Sequence, residues 1–231
     1  MLKWLIALLF LATPVWAQER PTAYEAMRTV GTQLKRDYVK HVMSVTGANG
    51  DPQPEMWTVM IEDPAATGGV REVEVSDGKI VSERTPLRST VENSIGPVID
   101  TSRLNLDSSG AYALARQMAT KSHVTFATVD YALRVDGRGN PIWKVALQKQ
   151  SGQPAGTIFI GANHGTVTRT EGLFAGGDQT AQSGQSDEAD HAKTDNGDTN
   201  AVVRTFRQVG DDVKSGFNKV SRSFVDFFKD K

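Results

Sequence analysis

The chain has 231 residues, 26 Lys and Arg against 27 Asp and Glu, and no cysteine. That length can bury a real core as one domain or two small ones. The missing sulfur excludes a disulfide scaffold, a thiolate metal site, a cysteine nucleophile and a lipid-modified N-terminal cysteine. The balanced charge gives no general pull toward nucleic acid.

Lys3 precedes an apolar run from Trp4 to Ala12, and Thr13-Pro14 breaks it before Val15-Trp16-Ala17. Small side chains at the minus-three and minus-one positions predict a secretory signal peptide over 1–17, cut after Ala17. The run is too short to cross a bilayer, which takes about 20 apolar residues. The expected location is therefore periplasmic or secreted. Lys3 is the only charge removed, so the mature chain carries 25 basic and 27 acidic groups.

Residues 18–174 alternate apolar and polar positions between Gly, Pro and Asn punctuation. Tyr24 to Arg36 reads as a short amphipathic helix through Met27, Val30 and Leu34. Strand candidates follow at Val39 to Val45, Trp57 to Ile61 and Val70 to Val75, and Asp77-Gly78 turns the last into Ile80-Val81. A second set begins with a helix over Ser108 to Ser122, with Leu114, Ala115 and Met118 on one face and Ser108 or Ser109 as its N-cap. Strands Val124 to Val135, Ile142 to Leu147 and Ile158 to Ile160 follow, and His164-Gly165 turns the chain into Thr166-Val167. Asn49-Gly50-Asp51 and Gly137-Arg138-Gly139-Asn140 supply the Gly and Asn that tight hairpin reversals need. Trp57 and Trp143 stand 86 residues apart at matching positions, and with Gly78 and Gly165 they mark an internal repeat. Large aromatics at alternating strand positions favour core packing over display to a ligand.

The predicted fold class is α+β: two tandem αβββ units at 18–90 and 108–174, joined by a connection over 91–107. Each helix would cover one sheet face and leave the other solvated or free for a partner. The run Tyr131 to Leu147, closed by Gly156 to Ile160 and His164-Gly165-Thr166-Val167, resembles a PepSY-type domain, and the first set, including Val73 to Ile80, does so more loosely. The resemblance implies small cystatin-like modules of the bacterial envelope with a non-catalytic role, binding or restraining a partner such as a peptidase or sensor. His164 stands where the pattern places an acidic residue.

The residues offer little chemistry. His41, His123, His164 and His191 show no metal-ligand spacing, and no Gly-x-Ser-x-Gly elbow, phosphate loop or Gly-x-Gly-x-x-Gly run occurs. Asp195-Asn196-Gly197-Asp198 lacks the later oxygens and closing Glu of a calcium loop. The expectation is no enzyme, no cofactor, no metal, no nucleic acid and no small-molecule substrate. Arg134, Arg138 and Lys144 beside the second hairpin either form a small basic face or only keep the outer sheet face soluble.

Residues 175–200 hold almost nothing apolar, and from Asp178 to Asp198 six acidic groups stand against Lys193 alone. Such a composition predicts an extended, disordered linker. Residues 201–231 carry five of the nine phenylalanines. Val202, Phe206, Val209, Val213, Phe217, Val220, Phe224, Phe227 and Phe228 fall within an arc of about 120° at helical spacing, with an eleven-residue period. Seven basic and four acidic groups lie from Val202 onward. This amphipathic helix would fold back on its own domain, lie in an anionic membrane interface, or pair with another envelope protein. The function expected is a binding or regulatory module recruited through that helix. The alternative is a peptidase-inhibitor or intramolecular-chaperone-like module acting on a secreted peptidase.

Overall fold

A computed structural model describes residues 20–173. The predicted signal segment 1–17, the linker 175–200 and the Phe-bearing stripe from Val202 to Phe228 lie outside the described residues.

Helix α1 (Ala23–Gln33) starts at Thr22, whose hydroxyl accepts from the Glu25 amide while the Glu25 carboxylate accepts from the Thr22 amide, a reciprocal capping box. A 3-10 segment, Arg36–His41, follows where a strand was expected to begin at Val39, and β1 (Val42–Gly50) starts only after it. Strands β2 (Met56–Glu62), β3 (Val70–Ser76) and β4 (Lys79–Arg84) complete the first half. Asp77 and Gly78 both take positive φ, as the β3–β4 reversal needs. The second half comprises α3 (Ser108–Lys121), β5 (Thr128–Val135), β6 (Pro141–Gln148), β7 (Pro154–Gly161) and β8 (Thr166–Glu171), with a one-turn helix α2 (Arg88–Val91) in the connection between the halves. Each helix is thus followed by four strands.

All eight strands form one antiparallel sheet in the order β4-β3-β2-β1-β5-β6-β7-β8. The halves join through β1 and β5, where Val45 faces Leu133 and Gly47 faces Tyr131. Both helices cover the same face, and their apolar sides and the inward strand residues form one core. Trp57 and Trp143 lie inside it, with Tyr131 between them at ring-centroid separations of 5.5 and 6.1 Å. Each indole N–H donates at 2.8 Å to a backbone carbonyl shortly before the helix of its own half, Pro21 for Trp57 and Leu106 for Trp143. Gly47 lets this packing close, since a Cβ there would stand 2.5 Å from Pro54 Cγ and 2.9 Å from Trp57 Cε3.

The N-cap of α3 is Asp107, not Ser108 or Ser109. Its Oδ1 accepts from the Ser108 amide at 2.6 Å and from the Tyr24 amide at 3.1 Å, and Ser108 Oγ accepts from the Ala23 amide while donating to Gln53 Oε1. Residues at the start of α3 therefore satisfy free amides at the start of α1 as well, and a helix end buried without such partners would be costly. The far end of α3 closes on His123, which holds φ near 54°, a place where Gly or Asn is usual.

The helix-free face differs between the halves. Residues 85–98 pass beneath the first half, where Val91, Ile95 and Val98 pack on Met43, Met60 and Val70. The chain then rounds the start of β1, where the Ile99 amide donates to the Val42 carbonyl at 2.7 Å, and Ile99, Leu104 and Leu106 enter the helix-side core. The first half is therefore covered on both faces, against the expectation of one open face.

Candidate functional site

Alternation decides what the second half shows on its helix-free face. Val129, Tyr131 and Leu133 of β5 and Trp143, Val145 and Leu147 of β6 point into the core, so Ala132, Arg134, Ile142 and Lys144 point the other way. Together with Phe159 of β7 and Arg169 of β8 they line an open groove of about 940 Å³. The hairpin at residues 136–140 and the turn at 162–165 wall one end, and Arg103 closes the side.

The walls are held by backbone geometry. Asp136 Oδ1 accepts from the amides of Arg138 at 2.9 Å and Asn140 at 2.8 Å. The Asn140 amide is the main reason that the Asp136 carboxyl sits below the usual carboxylate range, with the nearby Arg138 charge adding to it. The one acid lining the groove thus has its charge engaged within its own turn. The 162–165 turn is tied to the connection, because the Ala162 carbonyl accepts from the amides of Asn105 and Leu106 and Asn105 Nδ2 donates to the Asn163 carbonyl.

Five cations face this space. Arg103 reaches Asn140 Oδ1 at 2.8 Å, and Arg134 Nη1 donates to the Asn93 carbonyl at 2.9 Å. Arg169 lies over the Phe159 ring at 3.9 Å from its centroid and pairs with Glu171 at 3.1 Å. Arg138 and Lys144 have no carboxylate within ion-pairing distance among the described residues. The groove is therefore electropositive, with guanidinium forks suited to carboxylate or phosphate and amides and hydroxyls from Asn163, Thr166 and Thr168 between them.

The first half treats its charges differently. Arg84 pairs with Glu72 and lies 3.9 Å from Glu74, and Arg88 lies 3.7 Å from Glu62. Arg84 and Arg88 thus each have a carboxylate beside them.

Of the residues singled out in the sequence, Arg134, Arg138 and Lys144 come together in the groove, and His164 sits exposed in the turn at its rim. Trp57 and Trp143 are on the other side of the sheet, in the core. Gly78 and Gly165 both take positive φ in the turns that lead into β4 and β8. Arg103, Phe159 and Arg169 were not singled out. Arg169 is the partner of Phe159 across β7 and β8, a pairing that the alternation of Thr166 to Glu171 could have suggested. The position of Arg103 depends on how the connection rounds the sheet, which no local pattern encodes.

The described residues contain no group of three His, Asp or Glu side chains placed to hold a metal ion. No described helix is long and apolar enough to cross a membrane. Asp107 is the one buried carboxyl whose pKa is raised to about 6, mainly by desolvation. Enclosed in the core and capping two helices, it does structural work. No family model, no curated protein and no solved structure matches this chain.

Proposed function

We propose that this chain is a non-catalytic binding or regulatory module of the bacterial envelope, exported by its N-terminal segment. In this reading it comprises two tandem PepSY-like, cystatin-like units, of which the second carries the binding groove. The repeated order of one helix and four strands, and the matched indole hydrogen bonds of Trp57 and Trp143, support the tandem reading. The observation that carries the functional reading is the open basic groove, because among the described residues Arg138 and Lys144 have no carboxylate within ion-pairing distance. The ligand class is an extended, carboxylate-bearing chain, since a groove walled at one end meets a strand of charge better than a flat bilayer. Residues 201–231 recruit the module to a membrane surface or an envelope protein through the Val and Phe stripe.

The alternative is a module that restrains a secreted peptidase. The place of β8 as the last strand of the sheet, with mostly exposed side chains, favours it, because a terminal strand can pair with a partner's extended segment.

The test is fluorescence anisotropy of a labelled decaglutamate with the full mature chain at low salt. The R138S/K144S variant should bind at least about tenfold more weakly, with the difference shrinking as salt rises. Equal affinity for both forms would remove the groove from the reading.

A further inference from the structure

We propose that in the full chain the basic groove is occupied by the chain's own acidic segment, residues 178–198, and that an external anionic partner must displace it. This deepens the binding reading above and rests on it.

Charge matching is the first argument. The groove presents Arg103, Arg134, Arg138, Lys144 and Arg169, while its one acid, Asp136, is engaged by the amides of its turn. The segment supplies six carboxylates and a single Lys. Guanidinium forks accept carboxylates two hydrogen bonds at a time, and Lys144 adds a point charge.

Reach is the second. The chain leaves the sheet through β8, whose residues Thr166, Thr168 and Arg169 line the groove, and Leu173 packs beside Gly156 near the start of β7. That exit lies at the end of the β7–β8 pair opposite the 162–165 turn, about 20 Å away for a six-residue strand. Asp187, Glu188 and Asp190 follow Leu173 by 14 to 17 residues. Such a stretch spans up to about 45 Å when extended, enough to return along β8 and lay carboxylates over Arg138 and Lys144.

Tethering is the third. A segment joined to the groove wall by so short a length of chain acts at a local concentration of about a millimolar. A weak ionic contact then stays occupied and screens the groove from free anions of modest affinity.

Two measurements on the full mature chain test this. In the first, the acids of the segment are neutralised (D178N/D187N/E188Q/D190N/D195N/D198N) and decaglutamate binding is compared with that of the unchanged chain. The neutralised form should bind about tenfold tighter or more, as expected from removing a competitor at millimolar local concentration. In the second, a zero-length carbodiimide crosslink should join Lys144 to Asp187, Glu188 or Asp190, with a yield independent of protein concentration. Unchanged affinity on neutralisation overturns the proposal and leaves the groove reading standing. Crosslinks to Lys214, Lys219 or Lys229 in place of Lys144 also overturn it, since the acids would then face the chain's own basic segment. A yield that rises with concentration overturns it in favour of a second copy. A probe that binds neither form overturns the groove reading as well.

Discussion

The two halves of the sheet present the same helix-side architecture and opposite outer faces. One residue after the Trp stands Thr58 in the first half and Lys144 in the second, and three after stand Met60 and Ala146. Met60, with Met43 and Val70, gives residues 85–98 an apolar surface to cover, whereas Lys144 at the matching place is exposed in the open groove. The helix-side core is shared by both halves, so the outer side is free to differ. In the first half it closes over the connection, and in the second it stays open and basic.

The largest expected effect comes from breaking what the halves share. Trp143→Ala removes a fully buried indole and its hydrogen bond to Leu106, and should cost about 3–5 kcal/mol in a urea unfolding series. Because one core and one sheet join the halves, both should lose stability in a single transition. A surviving separate transition for the first half would break the comparison at its base.

The next prediction tests the closed outer face. Met60→Ala should cost about 2–4 kcal/mol, since Met60 is only 3% exposed beneath the connection. It should also speed proteolysis within residues 85–98. Met60→Ala behaving as a surface change would mean that the connection does not cover the first half.

The joint between the halves should respond to pH. The Asp107 carboxyl is pushed up to about 6 by burial, against about 3.9 in the unfolded chain. The folded state therefore holds the proton more tightly, and the stability from this group is fully present below about pH 4 and lost as pH rises through 6. Its slope is at most about 1.4 kcal/mol per pH unit. Asp107→Asn keeps a capping oxygen, so it should gain stability relative to the unchanged chain between pH 4 and 6. Parallel pH profiles for the two forms would remove this account.

The smallest effect belongs to the open face. Lys144→Ala should change stability by less than about 0.5 kcal/mol, since it is exposed and has no ion pair among the described residues. A loss comparable to that of Met60→Ala would show that the two outer faces are not different in kind.

Much of the strand pattern was legible because each strand writes its alternation locally: Trp57, Val59 and Ile61 face in, as do Trp143, Val145 and Leu147. The Asp77-Gly78 turn was legible for a similar reason, since few residues accept positive φ. The strand expected from Val39 was not, because Arg36–His41 turns first as a 3-10 segment to bring Val39 and Tyr38 onto the core. Asp107 was passed over as a cap because Ser108 and Ser109 are equally good candidates by type. Only the approach of α1 shows that Asp107 serves the Tyr24 amide while Ser108 serves Ala23.

The sequence by itself determined the α+β composition, the positions of the paired tryptophans and turns, and the basic character of Arg134, Arg138 and Lys144, because propensity, period and charge act over a few neighbouring residues. The tertiary structure alone decided that β1 and β5 join the halves into one sheet, that residues 85–98 close one outer face, and that Arg103 and Arg169 complete the groove on the other. Those outcomes depend on which surfaces meet after the chain has crossed the sheet, and contacts between residues far apart in sequence leave no local period to read.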